Sequence, residues 1–121
     1  MKAFLIDVEN VEAKEIELEP DLDTLYKLVN CSTIDIVTRK VGDVLFDVVC
    51  DDEGLLKAPY RVSAIDSVGR PMLVGNLLFC HHDNEGNLTG LSENDIKTLA
   101  LNVYHIKRTN MIMVYGLEYD I

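Results

Sequence analysis

The densest chemistry in the chain lies at Cys80, His81, His82 and Asp83, where a thiol, two imidazoles and a carboxylate, all metal-ligating groups, stand side by side. Neighbours on a strand point to opposite faces, so a shared metal would need a loop folded round it and ligands from elsewhere. His105 is the one other histidine. Asp51, Asp52 and Glu53 are a second metal-like cluster, but residues 51–62 lack the alternate oxygen ligands and closing Glu of a calcium loop. Both stretches read as polar turns, with no metal and no cofactor expected. A metal-dependent hydrolase is an alternative that the ligand count disfavours.

Nucleophilic catalysis has no support either. The chain has no Gly-x-Ser-x-Gly elbow, and Cys80 beside His81 is no dyad when the two side chains diverge. Gly75-Asn76 lacks the repeated glycines of a phosphate cradle. No catalytic residue is assigned, and the chain reads as a non-enzyme.

Cations are sparse: Arg39-Lys40, Arg61, Arg70 and Lys107-Arg108 are the notable ones. Convergence of Arg61, Ser63, Arg70 and Asn76 would make a small phosphate-binding pocket. Lys107 and Arg108 suit the negative end of a preceding helix. Cys31, Cys50 and Cys80 are an odd number without a Cys-x-x-Cys pair, and each lies at or near the end of an apolar run. They read as reduced core thiols with no disulfide.

The elements that would position these groups follow from periodicity. Phe4, Ile6 and Val8 alternate with their neighbours, as do Ile16 and Leu18 with Glu15, Glu17 and Glu19, which gives a hairpin with a carboxylate ladder on its second strand. Pro20 ends that strand, and Asp21 caps a helix carrying Leu22, Leu25, Tyr26 and Val29. Residues 33–38 and 44–50 form a second hairpin across Gly42-Asp43. Residues 57–66, broken by Pro59, read as irregular, and 72–80 as one central strand with Gly75 at a bulge or close approach. Ser92 and Asp95 resemble a capping box before a helix over 93–105, and 111–115 is a last strand.

The expected fold is a single α+β domain, residues 1–121, with an antiparallel-rich sheet of five to seven strands and two main helices packed on one face. Leu77, Phe79, Met111, Met113 and Tyr115 lie in runs apolar on both faces. The C-terminal strand is therefore expected either at an open edge, pairing with its mate in a homodimer, or fully buried at the centre of the sheet, which explains the same runs.

With 48% hydrophobic and 26% charged residues the chain is too apolar for a disordered acidic tail, and 121 residues bury enough for a core. No apolar run reaches a membrane span, and Asp7 and Glu9 interrupt any signal-peptide core, so a cytoplasmic protein is expected. The formal charge is -10, and residues 1–23 hold eight carboxylates against Lys2 and Lys14. Such a field repels phosphate backbones and favours basic protein partners over nucleic acid.

The opening Met1 to Asp7, the acidic second strand, Asp23-Thr-Leu-Tyr-Lys-Leu-Val29, Thr33 to Val37, Asp52-Glu-Gly-Leu-Leu-Lys57, Ser63-Ala64 and Leu73 to Leu78 appear in a characteristic order. To about residue 103 the chain resembles a family of small uncharacterised proteins, a domain of unknown function encoded by bacteriophages and by mobile elements of gut Firmicutes. The resemblance implies a setting among anti-restriction and other counter-defence genes, and it supplies no catalytic residue.

Two functions compete. The first is an acidic accessory protein that binds a basic host or defence protein through Glu15, Glu17 and Glu19. The alternative is a small-molecule binder such as a sponge for nucleotide immune messengers, holding its ligand with some of Arg61, Ser63, Arg70 and Asn76 at a dimer seam.

Overall fold

The structure, a computed structural model, describes residues 1–119. Lys2–Asp7 (β1) and Glu12–Glu17 (β2) form the first hairpin, its turn held by the Asp7 carboxylate, which accepts the backbone N–H of Glu9 and Asn10. Leu22–Val29 is α1, started by Asp21 accepting from Thr24 N at 2.9 Å and ended by Asn30 in the left-handed region at φ 58°. Ile34–Val41 (β3) and Val44–Asp51 (β4) pair across Gly42-Asp43, where Gly42 takes φ +61°.

A single-turn 3₁₀-helix, Gly54–Leu56, leads to Val62–Ile65 (β5), Pro71–Val74 (β6), Leu77–His82 (β7) and Leu88–Thr89 (β8). Glu93–Leu101 is α2, and Val103–Ile106 (β9), Met111–Val114 (β10) and Leu117–Tyr119 (β11) follow. The capping box at Ser92 and Asp95 is complete.

Among the described residues eleven strands form two sheets, so the fold is α+β and antiparallel-rich. The larger has the order β11-β3-β4-β7-β1-β2, with β8 on β7, and the smaller β6-β5-β10-β9. The pairing of β10 with β5 is parallel. The sheet of five to seven strands expected from the sequence matches the seven of the larger sheet, and the expectation misses the smaller.

Four readings are corrected. Residues 72–80 are two strands in two sheets, because Gly75 at φ +76° turns the chain from β6 to β7. A side chain there would meet nothing within 4 Å, so backbone conformation, not close approach, requires the glycine. Residues 62–65 are a strand, not irregular chain. The second helix stops at Leu101, since Val103 pairs with Val114 and continues a strand rather than the helical stripe. Lys107 and Arg108 therefore lie at the tip of the β9-β10 hairpin instead of at a helix end.

The helices do not share a face. Leu25 and Val29 of α1 pack with Ala3, Leu5, Val49, Leu78 and Cys80 on one side of the large sheet. Leu99 and Ile96 of α2 join the core of Phe4, Ile6, Phe46, Val48 and Phe79 on the other, which the small sheet closes with Ala64, Ile112 and Val114. Alternation along each strand dictates the result: odd and even residues of β1 and β7 are both apolar, so both faces need a cover. The terminal-edge route to a homodimer is also closed, because β10 is paired on both sides and Met113 is 5% exposed. No helix among the described residues is long and apolar enough to cross a membrane.

Candidate functional site

The carboxylate ladder stands where the alternation puts it. β2 ends the order of the large sheet, and Glu12, Glu15, Glu17 and Glu19 are exposed, Glu19 just beyond the strand. Glu15 and Glu17 share a face opposite Phe4 and Lys2. Lys2 hydrogen-bonds Glu93, which holds its ammonium above the usual range against a desolvation that lowers it, and the nearby Glu15 and Glu17 add to the effect. The N-terminal ammonium lies 3.5 Å from Glu17, and Lys14 pairs with Glu12 at 2.7 Å. The pole is thus partly neutralised at its root and open at its rim.

Of the four residues proposed for a nucleotide, Arg61 and Asn76 come together and Ser63 and Arg70 do not join them. Arg61 donates through Nη1 to Val8 O at 3.0 Å, and Asn76 accepts from Val8 N and donates to Leu28 O, each at 3.0 Å. These two side chains clamp the end of β1, Arg61 from the start of β5 and Asn76 from the link between β6 and β7. They line a small cleft of about 200 Å³ with Lys57 and Tyr60. Arg70 sits at the opposite end of the β5-β6 hairpin, paired with Asp66 at 2.7 Å, and Ser63 is fully buried in β5. The residue types were right for anion binding, but the first two hold the sheets together.

The His-His segment separates as its strand geometry requires. His81 stacks on Phe46, ring centroids 5.5 Å apart, and lies 2.9 Å from Asp95, the carboxylate that also completes the α2 cap. His82, on the other face, donates through Nδ1 to the buried Asp47 at 2.6 Å. Burial would raise the Asp95 carboxyl, but hydrogen bonds from Ser92 and His81 outweigh it and hold it below the usual range. Among the described residues no three His, Cys, Asp or Glu side chains are placed to hold a metal ion. Asp47 and Asp95 went unread as partners; a carboxylate inside the apolar run Val44–Cys50 was the available signal, since a buried charge needs one.

A larger opening lies between the sheets and could not be read from spacing. Val37 and Cys50 come from the large sheet, Val62, Met72 and Val74 from the small one, and together they line a cleft of about 390 Å³. Gly54 seats the 3₁₀-helix against β6 at its mouth: a Cβ there would come within 2.9 Å of Val74 Cγ2. Leu55 and Leu56, which follow, are 68% and 81% exposed. Asp35, Asp51, Asp52 and Glu53 rim the opening together with Arg39, whose guanidinium lies 4.6 Å over the Tyr119 ring. Burial pushes the Cys50 thiol up to about 11 and that of Cys80, within β7, up to about 12, so neither is a thiolate near neutrality.

No curated protein and no solved structure matches the chain. A family model does, over residues 1–104, reaching from β1 to the start of β9 and taking in the acidic strand, the clamp at Val8 and the whole lining of the cleft. By that match the chain belongs to the Domain of unknown function (DUF3846) family.

Proposed function

We propose that this is a non-enzymatic, cytoplasmic accessory protein of a bacteriophage or mobile element that binds a basic host or defence protein, with Glu15, Glu17 and Glu19 drawing the partner in. The observation that supports it is the placement of Glu15 and Glu17 on an edge strand, with Glu19 just beyond it, all exposed on a chain of charge -10. Carboxylates at that spacing can mimic a phosphate array and steer association with a positive surface. A like-charged row also keeps an open edge from pairing with other strands, so the same residues serve the monomer.

The test is capture from host lysate with the tagged protein. A specific partner held at low salt should be lost at about 0.5 M salt, where the Debye length is about 4 Å. It should also be lost from the Glu15→Gln/Glu17→Gln/Glu19→Gln variant. A partner that survives both changes would reject the electrostatic reading.

A further inference from the structure

We infer that the cleft between the two sheets is a receptor for an apolar side chain flanked by basic residues on a protein partner. The inference rests on the reading of this protein as a binder of basic proteins, and it moves the anchoring contact from the N-terminal hairpin to the opening beside Gly54–Leu56.

Size comes first. A cleft of about 390 Å³ lies within the range of ligand pockets, about 300–1,000 Å³. Its floor of Val37, Cys50, Val62, Met72 and Val74 offers apolar surface. Binding energy at such a site comes from removing that surface and its counterpart from water.

The mouth is apolar as well. A lone exposed leucine needs no explanation, but Leu55, Leu56 and the 49%-exposed Tyr60 are contiguous with the floor, and an apolar patch ringed by polar groups marks an interaction surface. The 3₁₀-helix places the two leucines there, and Gly54 allows it to approach β6 closely enough to do so.

Charge then chooses the occupant. The rim holds four carboxylates and Arg39, and among the described residues Asp51 is the one of the four in an ion pair, with Lys57 at 2.7 Å, which leaves Asp35, Asp52 and Glu53. A fatty acid or a nucleotide would bring an anion into this field. A leucine or phenylalanine between arginines would place its apolar group on the floor and its guanidinium groups among Asp35, Asp52 and Glu53, which match them in bidentate geometry.

The probe is a fluorescein-labelled peptide, Arg-Arg-Leu-Phe-Arg-Arg, compared by fluorescence anisotropy with Arg-Arg-Ala-Ala-Arg-Arg, which has the same charge. The first should bind the wild-type protein at least about tenfold more tightly, a difference of about 1.4 kcal/mol. That preference should vanish in Leu55→Ser/Leu56→Ser, a change at exposed positions that leaves charge and core intact. Methyl NMR shifts should move at Val62 and Met72 on peptide addition. Equal binding of the two peptides, or a preference that survives the serine variant, overturns the inference. If capture of a basic partner is lost on hairpin neutralisation yet unaffected by the serine variant, the cleft reading fails while the basic-partner reading stands. If no basic partner is captured and neither peptide binds, both fall. Self-association of the protein alone, abolished by Leu55→Ser/Leu56→Ser, would overturn the inference in favour of a second copy, whose Ile106-Lys107-Arg108 tip has the same apolar and basic character.

Discussion

Within the large sheet β7 is sealed on both sides: Leu77, Leu78, Phe79 and Cys80 are each 0% exposed, with α1 below and the second sheet with α2 above. The small sheet is sealed on one. Its inward residues Ala64, Ile112 and Val114 join the common core, while outward Met113 belongs to neither core cluster. Tyr104 and Ile106 on that outer side are 50% and 41% exposed. Its cover comes from its own side chains, with Tyr104 stacked on Tyr115 at 5.3 Å and Tyr115 Oη donating to Ser67 O. One sheet is a foundation with two cores and the other a lid with one, and the cleft of about 390 Å³ opens where the lid meets the foundation.

If this asymmetry is real in energy, equal truncations should not cost the same. Phe79→Ala removes a ring that packs edge-on against Phe46 at 5.8 Å and leaves a cavity in the shared core, so denaturant unfolding should show a loss of about 3–5 kcal/mol. Met113→Ala, beneath side chains that can collapse into the gap, should lose about 2 kcal/mol, at the low end for such truncations. Equal losses would mean that the outer face of the small sheet is packed as tightly as the central one.

The joint between the sheets is the next point to probe. Asn76 accepts Val8 N–H and donates to Leu28 carbonyl while 9% exposed, so Asn76→Ala strands two backbone groups. A loss of about 1–3 kcal/mol is expected in thermal or denaturant unfolding. A neutral result would show water taking over both bonds and would free Asn76 for the ligand role first considered for it.

Asn76 also shows where sequence reasoning stops. Local signals were legible because their physics is local: Asp21 and the Ser92-Asp95 pair cap helices within four residues, and Gly42-Asp43 sits between two β-branched runs. The carboxylate row on β2 was legible for the same reason. The division of 72–82 between two sheets was not, since Met72–Val74 and Leu77–Cys80 are equally apolar and Gly75 fits a bulge as well as a crossover. Val103 continued the helical period by chance of spacing, and only its partner Val114 decides its state. The cleft draws from β3, β4, β5 and β6, far apart in the chain, so no spacing rule could assemble it. Arg61 and Asn76 were picked out as groups for a phosphate-bearing ligand, but their acceptors and donors are backbone atoms that composition never reveals.

The smallest expected effect is at the far end of the lid. Asp66 is 2% exposed in the turn between β5 and β6, where burial would raise its carboxyl. Hydrogen bonds from Arg70 N at 2.8 Å, Arg70 Nε at 2.7 Å and Val68 N at 3.0 Å outweigh that and hold it below its ordinary value of 3.8. A carboxylate whose folded value is depressed contributes stability that is complete above the unfolded value and is lost as pH falls through the folded one. Asp66→Asn should therefore lower the melting temperature at neutral pH, and the two curves should converge as pH falls below about 3.8, a window read by melting at stepped pH. The effect should be modest because the Arg70 side chain is 76% exposed and water screens its share of the pair. It should also be local, with faster amide exchange at Val68 and Arg70 and unchanged exchange in β7. A gap that stays constant down to strong acid would assign the Asp66 contribution to its shape and hydrogen bonds rather than to its charge.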